Sequence, residues 1–247
     1  MKKEVKDKCH ICGEITKLTK EHFPPKTAYN NIPRKLVNSN ILSMSIENDW
    51  SMKNKRYKSY QQGISEFTLC ERCNNLTGAM YGDAYSKVVK GVGSHIMQIP
   101  KDERAGRIHI TIQQMNCLAF FKQVLIMFCS VNYAKFGVKF KDYLLDKDNK
   151  NFDTQHYKLS MYLHHGNMDR MVSMCQILDP QTHTITRCTE ISLFPFGFIF
   201  YDLNHTTSHT IIGTDITSWS QSDFIEKKIE IELPFLICNT GKILDFE

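Results

Sequence analysis

Apolar positions recur along this chain with three different rhythms. Over residues 74–89, Met80, Ala84 and Val88 return at one-turn spacing, which predicts a helix that carries Gly78 and Gly82 on its way. Gly91-Val92-Gly93 then punctuates the pattern, and the polar stretch 99–106 reads as a link, so a domain boundary is expected near 93–106. From 111 to 133 the chain is apolar on nearly every side, with Met115, Leu118, Phe120, Phe121, Val124, Leu125 and Phe128, which predicts a buried helix. A shorter helix over 140–145 ends in the turn-rich run 146–151. Beyond it, β-branched and aromatic segments alternate with turn signals, predicting strands over 157–163, 171–178, 182–186, 191–201, 208–212 and 229–237.

Helices followed by a run of strands make an α+β unit with a mostly antiparallel sheet. Its expected extent is 107–247, with Pro195 marking an edge strand or a bend and Gly197 a close approach. The first unit, 1–92, has few aliphatics and would draw much of its stability from a bound metal. Between Pro24 and Phe67 lies an Asn-, Ser-, Lys- and Tyr-rich insertion, with a turn at Asn30-Asn31-Ile32-Pro33 and a short helix expected over 33–37.

Composition is that of a soluble globular protein, and charge refines the picture. The net charge of +5 is uneven, because residues 1–73 hold 14 Lys or Arg against 8 Asp or Glu. That balance suits a phosphate-rich partner. The longest apolar run, Cys117 to Val131, contains Lys122 and Gln123 and falls short of the roughly 20 residues that cross a bilayer. The first residues lack the apolar stretch of a secretory signal, so a cytoplasmic protein without a membrane partner is expected.

Nine cysteines in such a chain favour metal binding over disulfides. Cys9-His-Ile-Cys12 and Cys70-Glu-Arg-Cys73 each space two thiolates for one tetrahedral ion, and together they form a closed, structural zinc site. Cys117, Cys129, Cys175, Cys188 and Cys238 read as small buried hydrophobes, and His164-His165, His205 and His209 as surface histidines without ligand spacing. Between the pairs stand Glu21-His22-Phe23 and Pro24-Pro25, and directly after the second pair stands Asn74.

In that order these residues resemble the HNH endonucleases, the ββα-metal family, in their zinc-stapled form. The resemblance covers the first third of the chain. It implies that His22 is the general base on water, that Glu21 and Asn74 hold a catalytic Mg(2+) or Mn(2+), and that Lys20 or Arg72 assists at the phosphate. The residue types agree with those roles, since an imidazole accepts a proton near neutral pH and a carboxylate and an amide oxygen suit a hard cation. The expected partner is DNA, with RNA not separated from it, and Lys53, Lys55, Arg56 and Lys58 in the insertion are candidate nucleic-acid contacts beside Tyr57. Restriction or anti-phage defence is the setting the resemblance suggests.

Two features depart from the family. Its middle Asn should stand nine residues before Asn74, where this chain has Ser65, with Gln61 and Gln62 nearby; and 57 residues separate Cys12 from Cys70. Other readings stay open at this level. The cysteines could serve a non-catalytic zinc module that binds nucleic acid; Asn74 could cap a helix, with Asn75 as the ligand; Tyr81 and Asp83 could approach the site or face solvent. Residues 189–197 and 213–217 resemble in outline regions that follow some bacterial HNH domains, and a homodimer contact or a regulatory partner that gates cleavage would belong to that second unit.

Overall fold

In the computed structural model of the chain, residues 4–37, 57–165, 169–208 and 210–237 are described. The first cysteine pair sits in the turn between β1 (Lys6–Lys8) and β2 (Ile15–His22), which pair antiparallel. Gly13 makes that turn possible at a φ of +78°. After a two-stranded hairpin, β3 (Arg34–Val37) with β4 (Tyr57–Tyr60), strand β5 (Ser65–Cys70) returns to the free side of β2. The short helix expected over 33–37 is therefore a strand. So brief a helix closes too few internal hydrogen bonds to offset its nucleation, whereas β4 supplies partners from Arg34 to Val37.

Helix α1 (Glu71–Gln98) follows without a loop. It runs through Gly91 and Gly93 and ends at Gln98, inside the span 93–106 expected to hold a domain boundary, because Val88, Val89, Val92 and Ile96 prolong its buried stripe. Gly93 is there for contact, not for termination: a Cβ at that position would lie 2.6 Å from Cε2 of Tyr29. A single 3-10 turn, Lys101–Glu103, leads to β6 (Arg107–Asn116). Residues 111–116, expected as the start of the buried helix, thus belong to a strand. Ile108, Ile110 and Ile112 alternate at the period of two, and β12 (Glu226–Ile237) pairs with β6 along its length. Asn116 then caps α2 (Cys117–Val131), its Oδ1 accepting from the Ala119 amide at 2.9 Å.

Two short helices, α3 (Ala134–Val138) and α4 (Lys141–Leu145), precede β7 (Tyr157–His165), β8 (Arg170–Leu178), β9 (Ile185–Leu193), β10 (Phe196–Asp202) and β11 (Thr214–Asp215). The sheet runs β6-β12-β7-β10-β9-β8, with β11 on β7, and every pairing is antiparallel except β12 with β7. The expected mixed α+β class and mostly antiparallel sheet are what the chain forms. Pro195 lies in the bend between β9 and β10, splitting what the sequence pattern joins over 191–201. No strand forms over the described residues of 208–212. Ile211 and Ile212 instead lie on Tyr162, Cys188, Ile199 and Tyr201, and the Ile212 amide donates to the Tyr201 hydroxyl at 2.9 Å.

Odd-numbered residues of β7 and β9 and even-numbered residues of β10 face α2, so Phe196 and Phe198 meet Phe120, Phe200 meets Phe128, and Leu159, Met161 and Ile191 join the same buried cluster. The same buried cluster continues through Val88, Val89, Leu69, Leu18 and Cys9, joining residues of both expected units into one core. No helix among the described residues is long and apolar enough to cross a membrane. On the other face of the sheet Gly197 faces Tyr162, whose Cζ would lie 1.9 Å from an added Cβ. Replacing Gly197 by Ala forces that ring or its strand to move, so the variant is expected to lose about 1–3 kcal/mol of stability in denaturant titration.

Candidate functional site

Two of the four paired cysteines belong to the turn after β1, and two belong to the junction of β5 with α1. Cys9, Cys12, Cys70 and Cys73 bring their sulfurs within 4.8 Å of one another. Tetrahedral coordination at about 2.3 Å requires sulfurs about 3.8 Å apart, and the Cys12 and Cys70 sulfurs are separated by 3.9 Å. The donor set therefore fits a metal ion such as zinc, in a closed site with no position left for substrate. Cys70 precedes the first helical residue of α1 and Cys73 lies in its first turn, so the helix start holds the second pair against the first. The Cys9 thiol is drawn down to about 4 by the neighbouring Cys73 thiol, against the opposing effect of burial and with help from the Cys70, Cys12 and Ile11 amides. Cys73 is pushed up correspondingly.

This knuckle is pinned to the second half of the chain. The His10 ring nitrogen Nδ1 meets the Cys129 carbonyl at 2.7 Å, and a Cβ on Gly137 of α3 would come within 2.1 Å of the His10 carbonyl. Of the remaining cysteines, Cys117, Cys129 and Cys188 are buried and Cys175 is half-buried opposite Cys188, while Cys238 lies outside the described residues. The histidine pair departs from expectation: His164 is 4% exposed and sits against the Ser192 hydroxyl, because its strand face is covered. His209 lies outside the described residues.

Strand β2 ends at His22, where Pro24 and Pro25 stop the extension. Its pairing with β5 shifts between Thr19 and Lys20, passing over Thr68, and burial moves from Leu18 to Glu21 while Lys20 stays exposed. Glu21 is 6% exposed. Its Oε2 accepts from the Ser130 hydroxyl at 2.8 Å and the Thr68 hydroxyl at 3.2 Å. Burial pushes this carboxyl up to about 7, against the opposing effect of those two hydroxyls. His22 next door is half-buried. Its imidazole is held below the usual range, first by burial and then by the charges of Lys26 and Lys20, with the Gln62 backbone acting the other way. Asn74 lies in the first turn of α1, not at its cap, and its Nδ2 donates to Thr19 Oγ1 at 3.0 Å. Asn75 is exposed.

Glu21, His22 and Asn74 line one cavity of about 370 Å³, together with Lys20, Lys26, Thr27, Thr77, Asp83 and Gln123. No family model matches the chain, and no curated protein or solved structure matches it significantly. Of the other residues named from sequence, Tyr81 turns away to the Leu144 carbonyl, Arg72 is exposed and does not line the cavity, and Lys58 is paired with Glu66. Lys53, Lys55 and Arg56 lie outside the described residues. A larger cavity of about 730 Å³ between α1 and β6 is lined by Val88, Val92, Ile96, Ile108 and Ile110 with Lys87, His95 and His109 among its polar side chains, and no carboxylate lines it among the described residues.

Ser65, at the position expected for the middle Asn, pairs with His22 in the β2–β5 ladder and turns its hydroxyl to the Gly63 carbonyl at 3.5 Å, so its side chain does not brace the loop after His22. The bracing is done by Asn30. Its Nδ2 donates to the carbonyls of Pro24 (2.7 Å) and Ile64 (2.9 Å), and its Oδ1 accepts from the Ile64 amide (2.7 Å), tying the loop after His22 to the start of β5. Gly63 completes the clamp at a φ of +83°, with the Asn30 carbonyl 1.8 Å from where a Cβ would be. In sequence Asn30 announces only a turn. Gln123 gives no signal at all, since it interrupts an apolar helix 101 residues from His22.

Metal analysis of the purified chain is expected to find one tightly held zinc, lost when Cys70 and Cys73 are replaced by Ser, with the fold destabilised by chelation. Asn30→Ala leaves buried donors and acceptors unpaired at Pro24 and Ile64 and is expected to cost on the order of 3 kcal/mol in equilibrium unfolding.

Proposed function

We propose that this chain is a metal-dependent endonuclease of the HNH kind, hydrolysing phosphodiester bonds in DNA. The observation that supports this reading is the shared cavity: a neutral-leaning imidazole, a carboxyl and an amide, drawn from β2 and from a helix about 50 residues later, open onto one space beside the cysteine cluster. In this reading His22 takes a proton from a water molecule placed in line with the scissile bond. The new O–P bond forms as the P–O3′ bond breaks, and the leaving 3′ oxygen takes its proton from solvent. Glu21 and Asn74, with Asp83 close by, would hold a divalent cation, whose part is to neutralise the charge that grows on the phosphate oxygens. Lys20 and Lys26 then face the substrate backbone and set its register.

One observation favours a second reading, a zinc module that binds nucleic acid without cutting it. Glu21 spends Oε2 on Ser130 and Thr68, and its raised pKa is that of a buried structural acid as much as of a ligand. Plasmid cleavage with magnesium or manganese, with and without EDTA, separates the two. The nuclease reading expects metal-dependent nicking that falls by about a hundredfold or more in His22→Ala with DNA binding retained. Cutting undiminished in that variant removes His22 as the base, and binding without cutting under every metal condition selects the zinc module.

A further inference from the structure

A second concavity, of about 350 Å³, opens where the end of α1, the 3-10 turn after it and the β9–β10 bend meet. Arg34, Lys101, Arg104, His164, Asp169 and Phe194 line it. Three of these carry permanent positive charge, and among the described residues Asp169 is the one carboxylate in the lining. Asp102 and Glu103, although in the same turn, are exposed and take no part.

The cations are not all loose surface groups. The Arg34 side chain is 21% exposed; it pairs with Asp169, its Nη2 reaches the Tyr29 carbonyl at 3.4 Å, and its Nε is buried without a protein acceptor. Arg104 is steered by its Nε, which donates to the Ile99 carbonyl at 3.0 Å and so fixes the plane of the guanidinium. His164 is held by Ser192 at Nδ1, with its Nε2 4.0 Å from Asp169. The crowding shows in the imidazoles. Burial, then Arg170, His165 and Arg34, push His164 down to about 4, and burial, then Arg104 and Lys101, hold His165 below its usual range. A concave site with fixed guanidinium donors and one carboxylate is short of an anion.

We propose that this pocket binds a phosphate group, held by Arg34, Lys101 and Arg104 against the Phe194 wall. The phosphate is that of a free nucleotide or of a nucleic-acid backbone. This proposal is independent of the nuclease reading, yet the pocket adjoins the loop that begins at His22. Tyr29 gives its carbonyl to Arg34, sets its ring edge-on to Phe194 at 5.5 Å, and fills the space that Gly93 leaves on α1.

Calorimetric titration of the full, zinc-loaded chain tests it, with inorganic phosphate, deoxyadenosine monophosphate and a short blunt duplex lacking terminal phosphates as the probes. Saturable binding is expected, weakened about tenfold or more in the double variant Lys101→Ala/Arg104→Ala with an unchanged melting temperature. If the monophosphate shows that loss, the source is a nucleotide; if only the duplex shows it, the source is the backbone. A control pair on α3 and just beyond its end, Lys135→Ala/Lys139→Ala, should bind like wild type. Equal weakening in the control, undiminished binding in the double variant, or no saturable binding of any probe overturns the proposal.

Discussion

Burial of 14 of the 15 residues of α2 leaves that helix without a solvent face, so its polar side chains and its ends have to find partners inside the protein. Those partners are the parts of the candidate site. Ser130 meets Glu21, the Cys129 carbonyl meets His10 of the metal knuckle, and Gln123 lines the cavity shared by His22 and Asn74. Lys122, also buried, donates to the carbonyls of Asp146 and Lys147 just after α4. On the opposite side Phe120 and Phe128 fill the sheet, and each such side chain removed from water contributes roughly 1.5–3 kcal/mol. One helix therefore serves as core for the sheet and as the rear wall of the polar cavity.

The cysteine cluster and the buried carboxyl divide the labour of fixing β2. The knuckle holds its beginning, through Cys9 and Cys12, against the root of α1, and the pairing shift opposite Thr68 turns Glu21 inward at its end. His22 is left half-buried at the exit of the strand, where Asn30 and Gly63 clamp the loop. Together these restraints fix both ends of β2 and the start of the loop that follows His22.

Patterns carried by neighbours in sequence were legible before any coordinates. The two cysteine pairs, the end of β2 before Pro24, strands β7, β8 and β12 and the close approach at Gly197 all have local signatures in spacing or residue type, whereas the strand expected over 182–186 begins only at Ile185 and runs on to Leu193. What escaped depends on contacts between distant segments. Gly93 looks like a stop until Tyr29 lies across it, and residues 111–116 look helical until β12 pairs with β6. Asn30 reads as a turn residue because its three bonds reach Pro24 and Ile64, and Gln123 reads as a flaw in an apolar run because its cavity is built by β2 and α1. His164 shows the same limit, since adjacent histidines suggest surface until a sheet face is covered.

The hydrogen bond from Ser130 to Glu21 spans 109 residues of chain. A recombinant fragment that stopped at the end of α1 would keep all four cysteines, His22 and Asn74, and would look complete by inspection of its motifs. It would nonetheless strip the carboxyl of its strongest donor and expose the apolar faces of β5 and α1 to water. The cysteine-bearing third of this protein is thus not a portable cassette with a passenger behind it, and any transplant of its chemistry into another scaffold has to carry α2 along.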